Sequence, residues 1–258
     1  MSTPTLQTRD LTIRFGGHAA VDNVTCAFHA GTLTAIVGPN GAGKTTYFNL
    51  LSGQLPATSG TVHLDGVDIT RLKASTRTRL GIGRAFQITN LFPNLTVIEN
   101  VRLAIQAKDA RAANVFMRAA SHVEWVERAL HVLERVALAD KRDITVAALP
   151  HGDKRKLEVA LLIALEPHVL MFDEPTAGMS VDEVPVILDL IARLKADASR
   201  TILLVEHKMD VVRSLADRIV VLHQGRLVAD GDPASVIASP VVREAYLGTA
   251  AGAGADHG

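Results

Sequence analysis

The 258-residue chain has one cysteine, Cys26, no excess of charge of either sign, and no apolar run long enough to cross a bilayer. Each shortage excludes something. One cysteine cannot close an internal disulfide, and "MSTPTLQTRD" carries no charged-then-apolar leader, so a reducing, cytoplasmic compartment is expected. Lys plus Arg and Asp plus Glu both total 27, which removes the global basic field that non-specific nucleic-acid binding needs. No nucleic-acid partner is expected. The longest dense apolar run, "VALLIAL" at Val159–Leu165, falls far short of the roughly 20 residues of a spanning helix, so any membrane role has to be borrowed from partner subunits. There is no internal repeat and no linker long enough to separate two independent domains. The closing "GTAAGAGADHG" has almost nothing to bury, which predicts a disordered tail over residues 249–258.

What is present is ample core, with 48% of residues apolar, enough for a large α/β domain. From Leu6 to Ile69 short β-rich runs are broken by turn signals, and the Asp65-Gly66 pair in "TVHLDG" suits a tight hairpin. Between Asn90 and Ala148 the pattern turns helical. Thr96 with Glu99 makes a capping box, and "VEWVERALHVLERVAL" repeats its apolar residues at helical spacing without sustained heptads. Beyond it, "HVLMFDE", "TILLVEH" and "RIVVLHQ" are short apolar runs ending in polar residues and separated by helical stretches, the pattern of buried parallel strands with crossover helices.

The chemistry starts at "GPNGAGKTT", Gly38, Pro39, Asn40, Gly41, Ala42, Gly43, Lys44, Thr45 and Thr46, which matches G-x-x-x-x-G-K-[ST] between an apolar run and a helical segment. Glycines let consecutive backbone N–H groups converge on a phosphate, and the helix N-terminus adds positive potential. Lys44 then neutralises β/γ-phosphate charge and the Thr45 hydroxyl ligates Mg²⁺. "VLMFDEP" ends an apolar strand with two carboxylates on alternating sides, which suits Asp173 to the Mg²⁺ shell and Glu174 to the base that orients or deprotonates water. Taken alone that pair also suits a helix cap or a solvated turn; the phosphate loop upstream favours the metal site. His207, ending "TILLVEH", sits at the carboxyl end of a strand, where parallel sheets bind ligands, and by itself is equally a satisfied histidine. Gln87 in "GIGRAFQ" could bring an amide to Mg²⁺ or water, or be a solvated loop residue.

In their order these residues resemble the nucleotide-binding subunit of an ATP-binding cassette (ABC) transporter. The resemblance covers almost the whole chain, with one nucleotide-binding domain over residues 4–248 and a helical subdomain over about 90–165. It implies a P-loop NTPase fold of ABC type: a mostly parallel core sheet, an N-terminal antiparallel β subdomain and a helical insertion. Phe15, otherwise readable as a strand core residue, stands where the family has an adenine-stacking aromatic. "GPNGAGKTT" is similar to its Walker A, Gln87 to its Q-loop, "LMFDEP" to its Walker B with the catalytic glutamate, and His207 to its switch histidine. "QITNLFPNLTVIENV", "AGM" and the closing "VVLHQGRLVADGDPASVIASPVVREAYLG" look most like the ATPase subunits of branched-chain amino acid importers, with urea or amide importers close behind.

The resemblance implies ATP and Mg²⁺ as cofactors and a peripheral position on the cytoplasmic face of the inner membrane. Its partners would be transmembrane permease subunits, a second ATPase subunit that is a paralogue or another copy, and indirectly a periplasmic solute-binding protein. Two departures stand out. The signature loop is "LPHGD", so Leu149, Pro150, His151 and Gly152 lack the usual serine hydroxyl, although Gly152 and the helix N-terminus still offer N–H groups to a phosphate. The D-loop aspartate is Ser180, which with Glu183 reads as a capping box for the next helix.

Overall fold

The computed structural model describes residues 3–85, 91–109, 118–240 and 242. Two sheets organise them. β1 (Leu6–Phe15), β2 (His18–Phe28), β4 (Ser59–Leu64) and β5 (Val67–Asp68) form an antiparallel sheet in the order β2-β1-β4-β5. Its last hairpin turns at Asp65 and Gly66, both at positive φ (49° and 81°), with Leu64 opposite Val67, the two-residue turn expected of an Asp-Gly pair.

The second sheet has six strands in the order β10-β9-β3-β8-β7-β6, formed by β3 (Leu33–Val37), β6 (Ile82–Ala85), β7 (Val169–Asp173), β8 (Thr201–Val205), β9 (Arg218–His223) and β10 (Arg226–Gly231). All neighbours are parallel except β9 and β10. The central strands β3, β7 and β8 are buried on both faces, as their unbroken apolar runs require. Alternation assigns the faces. Val169 and Met171 of β7 pack with Leu203 and Val205 of β8 against the antiparallel sheet and α1 (Lys44–Ser52). Leu170 and Phe172 pack with Ile202 and Leu204 against the helices.

The helical part opens with α2 (Ala74–Arg79) before β6, then α3 (Val97–Lys108), α4 (Arg118–Arg135) and α5 (His151–Ala164). Thr96 caps α3, its hydroxyl accepting from the Glu99 N–H while the Glu99 carboxylate returns to Thr96 N–H, so the capping box read from the sequence forms in full. Val101, Trp125, Leu133 and Leu157 join these three helices to the core. α6 (Val184–Lys195), α7 (Met209–Leu215) and α8 (Pro233–Ala238) complete the chain.

The box expected at Ser180 forms only in part. Glu183 Oε2 accepts from Ser180 N–H at 3.1 Å, but Glu183 is itself the N-cap residue and α6 starts at Val184. Pro185, with no N–H to give, belongs in a helix's first turn, so Ser180 is left one turn ahead of the helix.

Candidate functional site: a phosphate loop with a carboxylate–histidine pair

β3 delivers the chain into the loop of residues 38–43, and α1 leaves it with Gly43 as N-cap at φ 96°. A Cβ at Gly43 would lie 2.3 Å from Ala20 O, and one at Gly38 would lie 2.1 Å from Leu222 O. Both glycines are therefore demanded by packing as well as by dihedral, because β2 and β9 clamp the loop from two sides. The result is a pocket of about 210 Å³ lined by Asn40 to Thr46, Ala20, Glu174 and His207. Lys44 is 5% exposed, and its Nζ donates to Gly38 O at 2.8 Å and Pro39 O at 2.9 Å. Burial pulls its pKa below the usual lysine value, opposed by the charges of Glu174 and Asp173.

The acid pair does not divide by strand alternation as expected. β7 ends at Asp173, and Glu174 adopts a left-handed φ of 50° with its N–H donating to Val205 O at 2.9 Å. The turn, and not the pleat, aims the Glu174 carboxylate into the pocket. There His207 Nε2–H donates to Glu174 Oε1 at 2.6 Å, the tautomer that a carboxylate partner requires. His207 follows β8 through a built corner. The Glu206 side chain is 3% exposed and accepts from the Thr176 hydroxyl, from His207 N–H at 2.8 Å and from Lys208 N–H at 3.2 Å.

Asp173 points elsewhere, to Arg84 on the neighbouring strand, whose Nη2 donates to its Oδ2 at 2.5 Å. Burial raises the Asp173 pKa, and Arg84 works against that rise. Among the described residues no group of three or more His, Cys, Asp or Glu could hold a metal ion. A cation here would rely on hydroxyl and phosphate oxygens as well. Thr45 and Asp173 are hard oxygen donors of the kind Mg²⁺ takes, so the donor set fits that ion. Gln87 lies outside the described residues.

The remaining expected residues are apart from this pocket. Phe15, at the end of β1, is 53% exposed and does not line it. Leu149 is buried in the helical core, and Pro150 is the N-cap of α5, which His151 begins. Pro150 and Gly152 border a second pocket with Met179, Glu183 and Ile187. In this chain by itself the Gly152 N–H already has a carboxylate partner. A Cβ at Gly152 would lie 2.2 Å from Glu183 Oε1, so the Glu183 carboxylate already occupies that helix entrance. Ser180 first, and Gly152 N–H and His151 after it, hold its pKa below the usual glutamate value.

The ABC transporter family model matches residues 21–177, more than half of the chain and the span from β2 to the turn after Glu174. The chain belongs to the ABC transporter family. A second model, for the branched-chain amino acid ATP-binding cassette transporter, matches residues 226–252. The chain is 40% identical to the high-affinity branched-chain amino acid transport ATP-binding protein BraF of Pseudomonas aeruginosa, covering 97% of this chain and 100% of that one. It is 39% identical to LivG of Escherichia coli, with the same coverage. Among solved structures, a nucleotide-free ATP-binding cassette of an ABC transporter superposes with a TM-score of 0.82 at 29% identity, covering 95% of this chain and 99% of that one. The ADP conformation of an ABC transporter cassette gives 0.81 at 28% identity, covering 96% and 100%. The two-sheet α/β architecture is that of an ABC ATPase cassette.

Two residues of this cassette were not singled out from the sequence. Glu206 precedes His207 and reads as one more solvated end of a strand, yet it makes the corner that presents the histidine. Arg84 lies in the same run, "GIGRAFQ", as Gln87, and no motif marks it. The available signal was a lone charge in a strand otherwise made of apolar and small residues.

Proposed function

We propose that the chain is the ATP-hydrolysing subunit of an importer for branched-chain amino acids. The observation that carries the ATPase chemistry is the Glu174–His207 pair, 2.6 Å apart in the mouth of the phosphate-loop pocket. In this reading the loop N–H groups and Lys44 receive the β- and γ-phosphates, and the Thr45 hydroxyl and Asp173, with Gln87, hold Mg²⁺. Glu174 orients and deprotonates the attacking water, while His207 fixes that carboxylate and senses the γ-phosphate. Phe15, exposed at the rim of β1, stacks on the adenine.

Hydrolysis would occur between two cassettes, with the entrance of α5 at Pro150 to Gly152 of each facing the nucleotide of the other. The partner cassette would be a paralogue or a second copy. No helix among the described residues is long and apolar enough to cross a membrane, so solute passage falls to separate permease subunits. Peripheral attachment at the cytoplasmic face and a periplasmic binding protein complete the proposed assembly. Segment 87–95, with the half-exposed ring of Phe92, is the proposed permease contact. The proposal takes the domain as residues 4–248 with a helical subdomain over about 90–165. The solute rests on the carboxyl-terminal match over residues 226–252 and on the two curated relatives.

The deciding experiment is purification of the tagged chain from membranes of its host, followed by reconstitution of the complex in vesicles. Co-purifying permease subunits and ATP-dependent leucine uptake that Glu174→Gln abolishes are expected. Uptake of an amide in place of leucine would reject the solute, and co-purification with ribosomes or DNA alone would reject transport.

A further inference from the structure

Asp173 is 6% exposed, and its carboxylate carries a charge whose burial needs a cation beside it. That cation is Arg84. Its side chain, 8% exposed, reaches across from β6 to put Nη2 2.5 Å from Asp173 Oδ2. The guanidinium is braced independently of that contact. Nη1 donates to Asn49 Oδ1 at 2.7 Å, Ser52 Oγ at 3.1 Å and Gln54 Oε1 at 3.1 Å, and the group lies 5.6 Å over the Phe48 ring. Four of these partners belong to α1 or to the loop just after it, so the arginine is fixed to the helix that starts at the phosphate loop.

We infer that Arg84 is a positioning residue of the Mg²⁺ site, a resident cation that holds Asp173 by Oδ2, presents Oδ1 to the metal and weakens metal binding by sharing the carboxylate's charge. The inference rests on the assignment of Asp173 to the metal shell. Two effects give it a sign. A divalent ion arriving at Asp173 meets the positive charge of Arg84 in a site with little water, where like charges are poorly screened. Without Arg84, the metal-free protein would hold a buried carboxylate stripped of its ion-pair partner, with Lys44 left as the nearby cation, and metal binding would relieve that cost. Both make removal of the arginine's charge tighten Mg²⁺. The buried site thereby stays paired between turnovers and releases its metal more readily.

The test is a calorimetric Mg²⁺ titration of the full-length chain loaded with AMP-PNP, a non-hydrolysable ATP analogue, so that turnover does not enter. Arg84→Gln, which keeps a hydrogen-bond donor and drops the charge, should lower the half-saturating Mg²⁺ concentration by roughly tenfold or more. Arg84→Lys, which keeps the charge, should stay within about threefold of the wild type. Gln54→Glu, at an exposed position beside Nη1, should shift the midpoint the same way by about two- to threefold, because it draws the arginine's charge from Asp173. It needs no rebuilding of the buried site, so it serves where Arg84→Gln does not fold. An unchanged or raised midpoint in Arg84→Gln, or in Gln54→Glu where the former cannot be purified, overturns the inference. A wild-type chain whose AMP-PNP binding shows no Mg²⁺ dependence overturns it together with the metal-shell assignment of Asp173. Wild-type dependence with unmoved variants removes Arg84 alone.

Discussion

Glu174 Oε1 and His207 Nε2 stand 2.6 Å apart although 33 positions separate them in the chain. The carboxylate comes from a left-handed residue after β7, and the imidazole from a corner after β8 that Glu206 holds. Residues that act as one unit lose function once, not twice. Glu174→Gln keeps the shape of the side chain and removes the proposed base, so turnover should fall about 10²- to 10⁴-fold while ATP affinity changes little. His207→Ala should cost turnover too, and the double variant should be no slower than Glu174→Gln. Steady-state ATPase rates of the three proteins check this, and losses that multiply would show that the residues act separately.

Lys44 is already engaged, giving its ammonium to the carbonyls of Gly38 and Pro39. A nucleotide must exchange these contacts for phosphate oxygens, which gain more from a full positive charge than carbonyls do. Lys44→Ala should therefore weaken ATP binding by about 100-fold or more and leave the fold intact, since the glycines and not the lysine shape the loop. Calorimetric titration with ATP reads the loss. Wild-type affinity in the variant would remove Lys44 from the phosphate site.

The phosphate loop, the apolar strands and the capping box of Thr96 were legible because each is local: a few neighbouring residues decide the backbone, and the partners lie within one turn. What stayed hidden was set between elements. The direction of Glu174 depends on a hydrogen bond to Val205, 31 positions on, which period-two reasoning has no access to. The engagement of Asp173 with Arg84 spans 89 positions and joins two strands that only the sheet order makes neighbours. At Glu183 the spacing of a capping box was right, but Pro185 moved the helix start and left the carboxylate to serve a different helix entrance.

Cys26 lies in β2, buried, and the loss of solvent pushes its thiol from the ordinary value of 9.0 up to about 12. Arg218, whose Nη2 lies 3.6 Å from the sulfur, only partly offsets that. An acid whose folded pKa is raised stabilises the fold below its unfolded pKa and loses that contribution as pH rises to the folded one. Part of the stability should thus vanish between about pH 9 and pH 12, and less of it in Cys26→Ala. Below that range a thiol reagent should label the protein only as fast as it unfolds. Rapid labelling of the native chain at neutral pH would contradict the burial argument.

The entrance of α5 carries "LPHGD", which in the proposed function takes the place of the family's signature loop. Pro150, its N-cap, brings neither a hydroxyl nor an N–H, and the Glu183 carboxylate stands 2.2 Å from where a Cβ on Gly152 would be. A γ-phosphate presented there by a partner cassette would meet a carboxylate before it met the helix's N–H groups, and like charges brought together at an interface repel. The site should accordingly turn over slowly, by about 10²- to 10³-fold for the missing donor alone. Glu183→Gln removes the repulsion, so ATP-dependent dimerisation on a Glu174→Gln background should tighten by about tenfold, while Pro150→Ser should restore turnover without changing the affinity of the isolated chain for ATP. In a pair with a paralogue whose signature loop is complete, Glu174→Gln in this chain should cost far more turnover than the same change in the partner, because this chain's phosphate loop then faces the better signature. Light scattering of the ATP-bound dimers and ATPase rates of the reconstituted pairs decide the matter. Equal losses from the two glutamate variants, together with no gain from Pro150→Ser, would mean that the proline only sets the path of the chain into α5 and that both pockets hydrolyse alike.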